Sequence, residues 1–81
     1  MQRTLADLQP QESSRIRTVT GTDGISQRLS ELGFTAGQVV RVVRMAPMGD
    51  PMQIRIRGFD LAVRRAEARR VVIEPAAAIP A

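Results

Sequence analysis

Ten consecutive residues constrain this chain more than any others: Arg28-Leu29-Ser30-Glu31-Leu32-Gly33-Phe34-Thr35-Ala36-Gly37. They read as the end of a short amphipathic helix, a glycine stop, a tight turn and the entry to a strand. Ile25, Leu29 and Leu32 recur at i, i+4 and i+7, one face of a helix. Gly33 follows the last apolar position, where a left-handed residue is wanted and a missing Cβ removes the steric cost. Phe34 is then placed to fold back onto the helix. Thr35-Ala36-Gly37 turns the chain into the β-branched run Val39-Val40-Arg41-Val42-Val43.

Around this corner the chain reads as short strands. Thr4 to Leu8 is a lead-in with two apolar anchors, Leu5 and Leu8, ended by Pro10. Ser13 to Thr20 is a first strand by its β-branched content. Gly21-Thr22-Asp23-Gly24 is a turn in which Thr22 or Asp23 can cap the helix from about Ile25 to Leu32. Val39 to Arg44 is a well-covered strand, and Met45 to Pro51, with two prolines and a glycine, cannot continue it. Met52 to Arg57 alternates cleanly: Met52, Ile54 and Ile56 face a core, while Gln53, Arg55 and Arg57 face water. These two strands form a hairpin around the loop. Gly58 breaks the run, Phe59-Asp60 leads into Leu61-Ala62-Val63, a helical turn is expected at Arg65 to Ala68, and Val71 to Ile73 is the last strand. The fold class expected is all-β: a small SH3-like barrel of about five short strands with one or two short helices. It occupies residues 1–75, with 76–81 a frayed tail. An OB-fold would want longer strands.

Composition narrows the chemistry. The chain is one small domain of 81 residues, 43% hydrophobic and 25% charged, as expected of a folded chain. It contains no His, Cys, Trp, Tyr or Lys; all 12 basic residues are arginine. Histidine and cysteine supply most general bases, nucleophiles and transition-metal ligands, and lysine supplies Schiff bases and phosphate-loop contacts. An enzyme is therefore not expected, nor a cofactor, nor a dedicated metal site; a hard carboxylate such as Asp50 beside soft thioethers suits no single metal. The start lacks the apolar core of a signal peptide and no run is long enough to span a bilayer, so the cytoplasm is the expected compartment.

The net charge of +4 permits attraction to nucleic acid, anionic lipid or an acidic protein face. The acids are interspersed, which favours a plain solvated surface. Arg55, Arg57, Arg64, Arg65, Arg69 and Arg70 form the one basic cluster, but both aromatics are phenylalanines better used as core than as stacking platforms. No nucleic-acid partner is expected.

Four segments in order resemble one family, the FeoA proteins of bacterial ferrous iron uptake. They are Leu5 and Leu8; Arg28 to Gly37; Ala46-Pro47-Met48-Gly49-Asp50-Pro51; and Gly58 with Leu61, Ala62, Val63, Arg64, Glu67 and Ala68. Two positions depart from the family pattern: Pro10-Gln11 stands where Pro-Gly is common, and Ala36 where proline is common. The resemblance implies an SH3-like barrel in the cytoplasm. It also implies a non-catalytic accessory role beside FeoB, the membrane ferrous iron transporter with a cytoplasmic G-protein domain. The family's iron association also implies transition-metal ion binding. Similar domains sit at the C-terminus of iron-dependent repressors, so a stand-alone regulator and a basic small-barrel nucleic-acid binder are the alternatives; a repressor is not expected, because no DNA-binding region is expected ahead of the barrel.

For contact with the partner, the loop residues Met45, Pro47, Met48 and Asp50 are the candidates, because a stiff apolar loop stands where a polar turn would suffice and methionine adapts to partner surfaces. The competing reading makes Met45 and Met52 core fillers. Arg28 is the candidate on the helix, where it either meets an acidic patch on the partner or pairs locally with Glu31.

Overall fold

The computed structural model describes residues 2–74. The tail 76–81, expected to fray, lies outside the described residues. The first elements are β1 (Arg3–Thr4), a 3-10 turn (Leu5–Asp7), β2 (Ser13–Val19) and α1 (Gly24–Glu31). They are followed by β3 (Val39–Met45), β4 (Met52–Ile56), β5 (Phe59–Val63), α2 (Arg65–Ala68) and β6 (Val71–Ile73). The described strands form one antiparallel sheet in the order β1-β6-β2-β3-β4-β5. That is six strands rather than about five, because Arg3–Thr4 pairs with β6.

Strand β2 joins the two halves of the sheet. Its first part, residues 13–15, pairs with β3, and its second, residues 16–19, pairs with β6. The register shifts between Ile16 and Thr18, and such a bulge adds the local bend and twist that let one strand serve two half-sheets. The pleat then sorts the side chains. Val40 and Val42 on β3, and Met52, Ile54 and Ile56 on β4, are buried on the concave side with Ile16, Val71 and Ile73. Leu5 and Leu8 fill one end of this core, as their spacing suggested, and Phe34 lies fully inside it. Fully burying a side chain of this size stabilises by roughly 1.5–3 kcal/mol, the dominant favourable contribution available to so small a chain.

The helical corner is a Schellman cap. Gly33 has φ +109°. Its N–H donates to Ser30 O at 3.1 Å, and the Phe34 N–H reaches back to Leu29 O at 3.0 Å. These two bonds satisfy carbonyls at the helix end and swing Phe34 into the core. At the other end Asp23, not Thr22, is the cap: its carboxylate accepts from the Ser26 N–H at 3.2 Å.

Three packing expectations are corrected. Leu29 anchors α1, but Ile25 and Leu32 are exposed, Leu32 to 45%. The helix face that meets the sheet is centred between Leu29 and Ser26. Ser26 is buried because its hydroxyl donates to Thr20 O. Ile25 and Leu32 are left at the margin of that face. The two phenylalanines part company: Phe34 is core, whereas Phe59 is 68% exposed. Phe59 opens β5 directly after the Arg57-Gly58 turn, on the core side of the sheet but beyond the end of the core. Arg57, expected on the strand, lies in that turn with φ +54°.

Candidate protein-docking groove

The loop between β3 and β4 stands against the β4–β5 hairpin and encloses a mainly apolar groove of about 520 Å³. Met45, Ala46, Pro47 and Pro51 line the loop side; Arg44, Gln53, Asp60, Leu61 and Ala62 line the sheet side, with Met52 at the root. Proline and glycine bend the loop. Gly49 takes φ +80°, the Asp50-Pro51 peptide is cis, and Gly49 N–H donates to Ala46 O at 2.7 Å. Met48 stands at the tip, 91% exposed.

One side chain absent from the expected site holds the loop in place. The Arg65 guanidinium donates to Ala6 O at 3.0 Å and to Gly49 O at 3.3 Å, and approaches the Met45 sulfur at 3.9 Å. The Arg65 N–H in turn donates to the Asp50 carboxylate at 3.0 Å. One residue therefore ties together the loop, the 3-10 turn and α2. No local pattern announces this, because its partners lie far away in sequence; only the adjacent pair Arg64-Arg65 stands out. Glu67 was also unanticipated. It accepts from the Arg64 N–H at 3.0 Å and pairs with Arg28.

The five expected contact residues are therefore divided. Met45 and Pro47 border the groove, and Met48 projects beside it. Asp50 is exposed, and its carboxylate is committed to the Arg65 N–H. Arg28 lies apart on α1, and its ion pair is with Glu67 on α2, not with Glu31; the two helices are linked by that bridge. Of the two readings of the methionines, Met52 is a core filler and Met45 is half-buried against the core at the groove.

Elsewhere on the surface three arginines, Arg28, Arg55 and Arg70, are ion-paired. On the outer face of the sheet Arg41 and Arg55 stand directly opposite one another, a repulsive placement for like charges. It is relieved because Arg55 turns to Asp60, at 2.7 Å, and Arg41 to Gln11. The Arg55 guanidinium holds the Asp60 carboxyl below its usual range, and Arg70 does the same for Asp23 from 2.5 Å, helped by the Ser26 N–H. Among the described residues no three His, Cys, Asp or Glu side chains gather where they could hold a metal ion. Asp7, Asp23, Asp50, Asp60 and Glu67 are each engaged by groups of the chain itself. Among the described residues no helix is long and apolar enough to cross a membrane.

A bent antiparallel sheet of short strands, two small helices and a stiff loop over one groove define a small SH3-like domain. Within that class, the FeoA domain model matches residues 3–75, and the chain belongs to the FeoA domain family. The zinc complex of FeoA from Stenotrophomonas maltophilia, described as a prokaryotic SH3 domain protein, superposes with a TM-score of 0.80. It is 36% identical, with 89% of each chain covered. Iron(II) transport protein A from Clostridium thermocellum gives a TM-score of 0.84 at 28% identity, over 89% of this chain and 44% of that one. A fusion protein from Porphyromonas gingivalis (strain ATCC BAA-308 / W83), named Fe(2+) transport protein A/Fe(2+) transporter FeoB, is 31% identical over 70 residues. Those residues are 86% of this chain and 8% of the fusion protein, so the chain spans only a small fraction of that relative's length.

Proposed function

We propose that this chain is a non-catalytic accessory protein of ferrous iron uptake that works in the cytoplasm by binding a FeoB-type transporter. The single observation that carries this reading is the fusion relative, in which a segment similar to this chain and a FeoB transporter share one polypeptide. Covalent fusion keeps two modules at high effective concentration, an arrangement of use when they act on each other. The groove supports a contact role on physical grounds. Its loop is pinned by Arg65, so presenting Met48 and Pro47 requires little ordering on binding, and an exposed thioether beside an apolar wall adapts to a partner's surface.

Pull-down of the transporter's cytoplasmic domain by the full chain tests the reading. Capture is expected, and Met48→Asp is expected to weaken it without changing the melting temperature. No capture by the wild-type chain would overturn the partner. Capture unaffected by Met48→Asp would move the contact away from the loop.

A further inference from the structure

Among the described residues the sheet ends at β5, which pairs with β4 alone. The two-residue Arg57-Gly58 turn makes Ile56 and Phe59 a hydrogen-bonded pair, and the pattern alternates from there. Leu61 and Val63 therefore direct their backbone groups to β4, while Asp60 and Ala62 direct theirs outward. Among the described residues neither the Asp60 N–H nor the Ala62 N–H finds an acceptor. The devices that usually protect such an edge are missing. Phe59-Asp60-Leu61-Ala62-Val63 has no proline, no lysine and no bulge, and its one charge is neutralised by Arg55 at 2.7 Å and bonded by Gln53 at 3.0 Å. The other edge, β1, is only two residues long.

We infer that β5 is a self-association edge whose occupant is β5 of a second copy of this chain, paired antiparallel about a two-fold axis at Leu61. The strand is its own complement in that register. Asp60 meets Ala62 of the second copy, and Ala62 meets its Asp60, so each pair exchanges two N–H to O=C bonds and every outward group is satisfied. Phe59, 68% exposed, falls opposite the buried Val63 of the second copy, so its ring lies against the rim of that copy's core. The charge within the strand does not oppose the pairing, because each Asp60 carries its own Arg55; Arg57 and Arg64, which flank it, approach those of the second copy and keep the contact weak. The contact is one five-residue strand and a ring, below the roughly 1,200 Å² of standard interfaces, so the dimer is weak and concentration-dependent. This inference does not rest on the transporter reading, but it shares a wall with it, because Asp60, Leu61 and Ala62 also line the groove.

At the axis the two Leu61 residues form a non-hydrogen-bonded pair, with Cα atoms about 4.5 Å apart, within the range that a disulfide accepts. The chain has no cysteine, so a single one reports cleanly. In Leu61→Cys most of the protein is expected to run as a covalent dimer after mild thiol oxidation at high protein concentration, and in the fully exposed Met48→Cys little of it. Light scattering of the wild-type chain is expected to show average mass rising toward twice the monomer as concentration increases. Ala62→Pro removes an outward N–H and leaves every bond to β4 intact, so it is expected to lose the dimer while keeping its circular dichroism and melting temperature. A wild-type chain monomeric at all concentrations, a Met48→Cys cross-link as abundant as that of Leu61→Cys, or a folded Ala62→Pro that still dimerises would each overturn the proposal. So would a folded, monomeric wild type whose edge pairs instead with a strand of another protein.

Discussion

The corner that closes α1 and the loop that joins β3 to β4 both turn the chain with glycines at positive φ, yet they are stabilised in opposite ways. At the corner the bonds are local: Gly33 to Ser30 and Phe34 to Leu29. The backbone alone defines the turn, which buries Phe34 and brings the Gly37 N–H to Ile16 O at 2.8 Å. The loop has a local turn too, but its position against the sheet depends on Arg65, fifteen residues beyond Asp50. The corner's chemistry is spent on folding. The loop's is divided, with Asp50 and Gly49 turned to Arg65 and Met48 left to solvent. The loop is thereby held at its base and free at its tip.

Phe34→Ala should do the most damage. It empties a fully buried ring position, and a loss of about 3–5 kcal/mol is expected, measured as the urea midpoint. If the loss were small, the corner would not be a folding element. Arg65→Ala comes next, at about 1–3 kcal/mol, since it removes three contacts and leaves the Ala6 and Gly49 carbonyls without their donor. Faster amide exchange at Ala46 to Asp50, with the corner's amides unchanged, would separate the two regions directly. Gly33→Ala is expected to cost about 1 kcal/mol, because alanine must adopt φ near +109°. The facing Arg57 stem, 3.0 Å from the added methyl, can move aside.

Acid should weaken the corner's helix from its other end. The Asp23 carboxyl is held below its ordinary value, by Arg70 first and then by the Ser26 N–H. A carboxylate with a depressed folded pKa adds stability above its unfolded pKa, near 4, and that stability is lost as pH falls through the folded value. The melting temperature should therefore hold from pH 7 to about pH 5 and fall below about pH 4. In Asp23→Asn, which keeps the cap and removes the charge, that part of the acid fall should be absent. The smallest stability effect is expected for Met48→Asp, within about 0.5 kcal/mol, because the side chain touches little of its own chain. A larger change would mean that the tip serves folding after all, and the contrast with the corner would collapse.

Most of the elements were legible in the sequence because they rest on periods and punctuation. Alternation marked β4, glycine marked the end of α1, and the turn at Arg65 to Ala68 is α2 itself. The short β1 was missed, since two residues carry no period. Phe59 was misread because hydrophobicity says that a ring prefers burial, not whether the sheet extends far enough to cover it. Arg28 was read with Glu31 because helical spacing exposes only local partners, and its actual partner Glu67 lies on another helix. Within the groove, the sequence pointed to the loop but not to the strand β5 that forms its opposite wall.

By itself, then, the sequence determined what depends on neighbours along the chain: the capped corner, the alternating strands, the lack of histidine, cysteine and lysine, and the family to which these belong. Tertiary structure alone decided which exposed groups are free and which are spent. Asp50 is taken by Arg65 and Met48 is not, Phe34 is enclosed and Phe59 is not, and β5 ends the sheet with two backbone positions turned outward. Those outcomes depend on which residues distant in sequence come within hydrogen-bonding or van der Waals range. Such distances are set by how the sheet bends, and no local pattern encodes them.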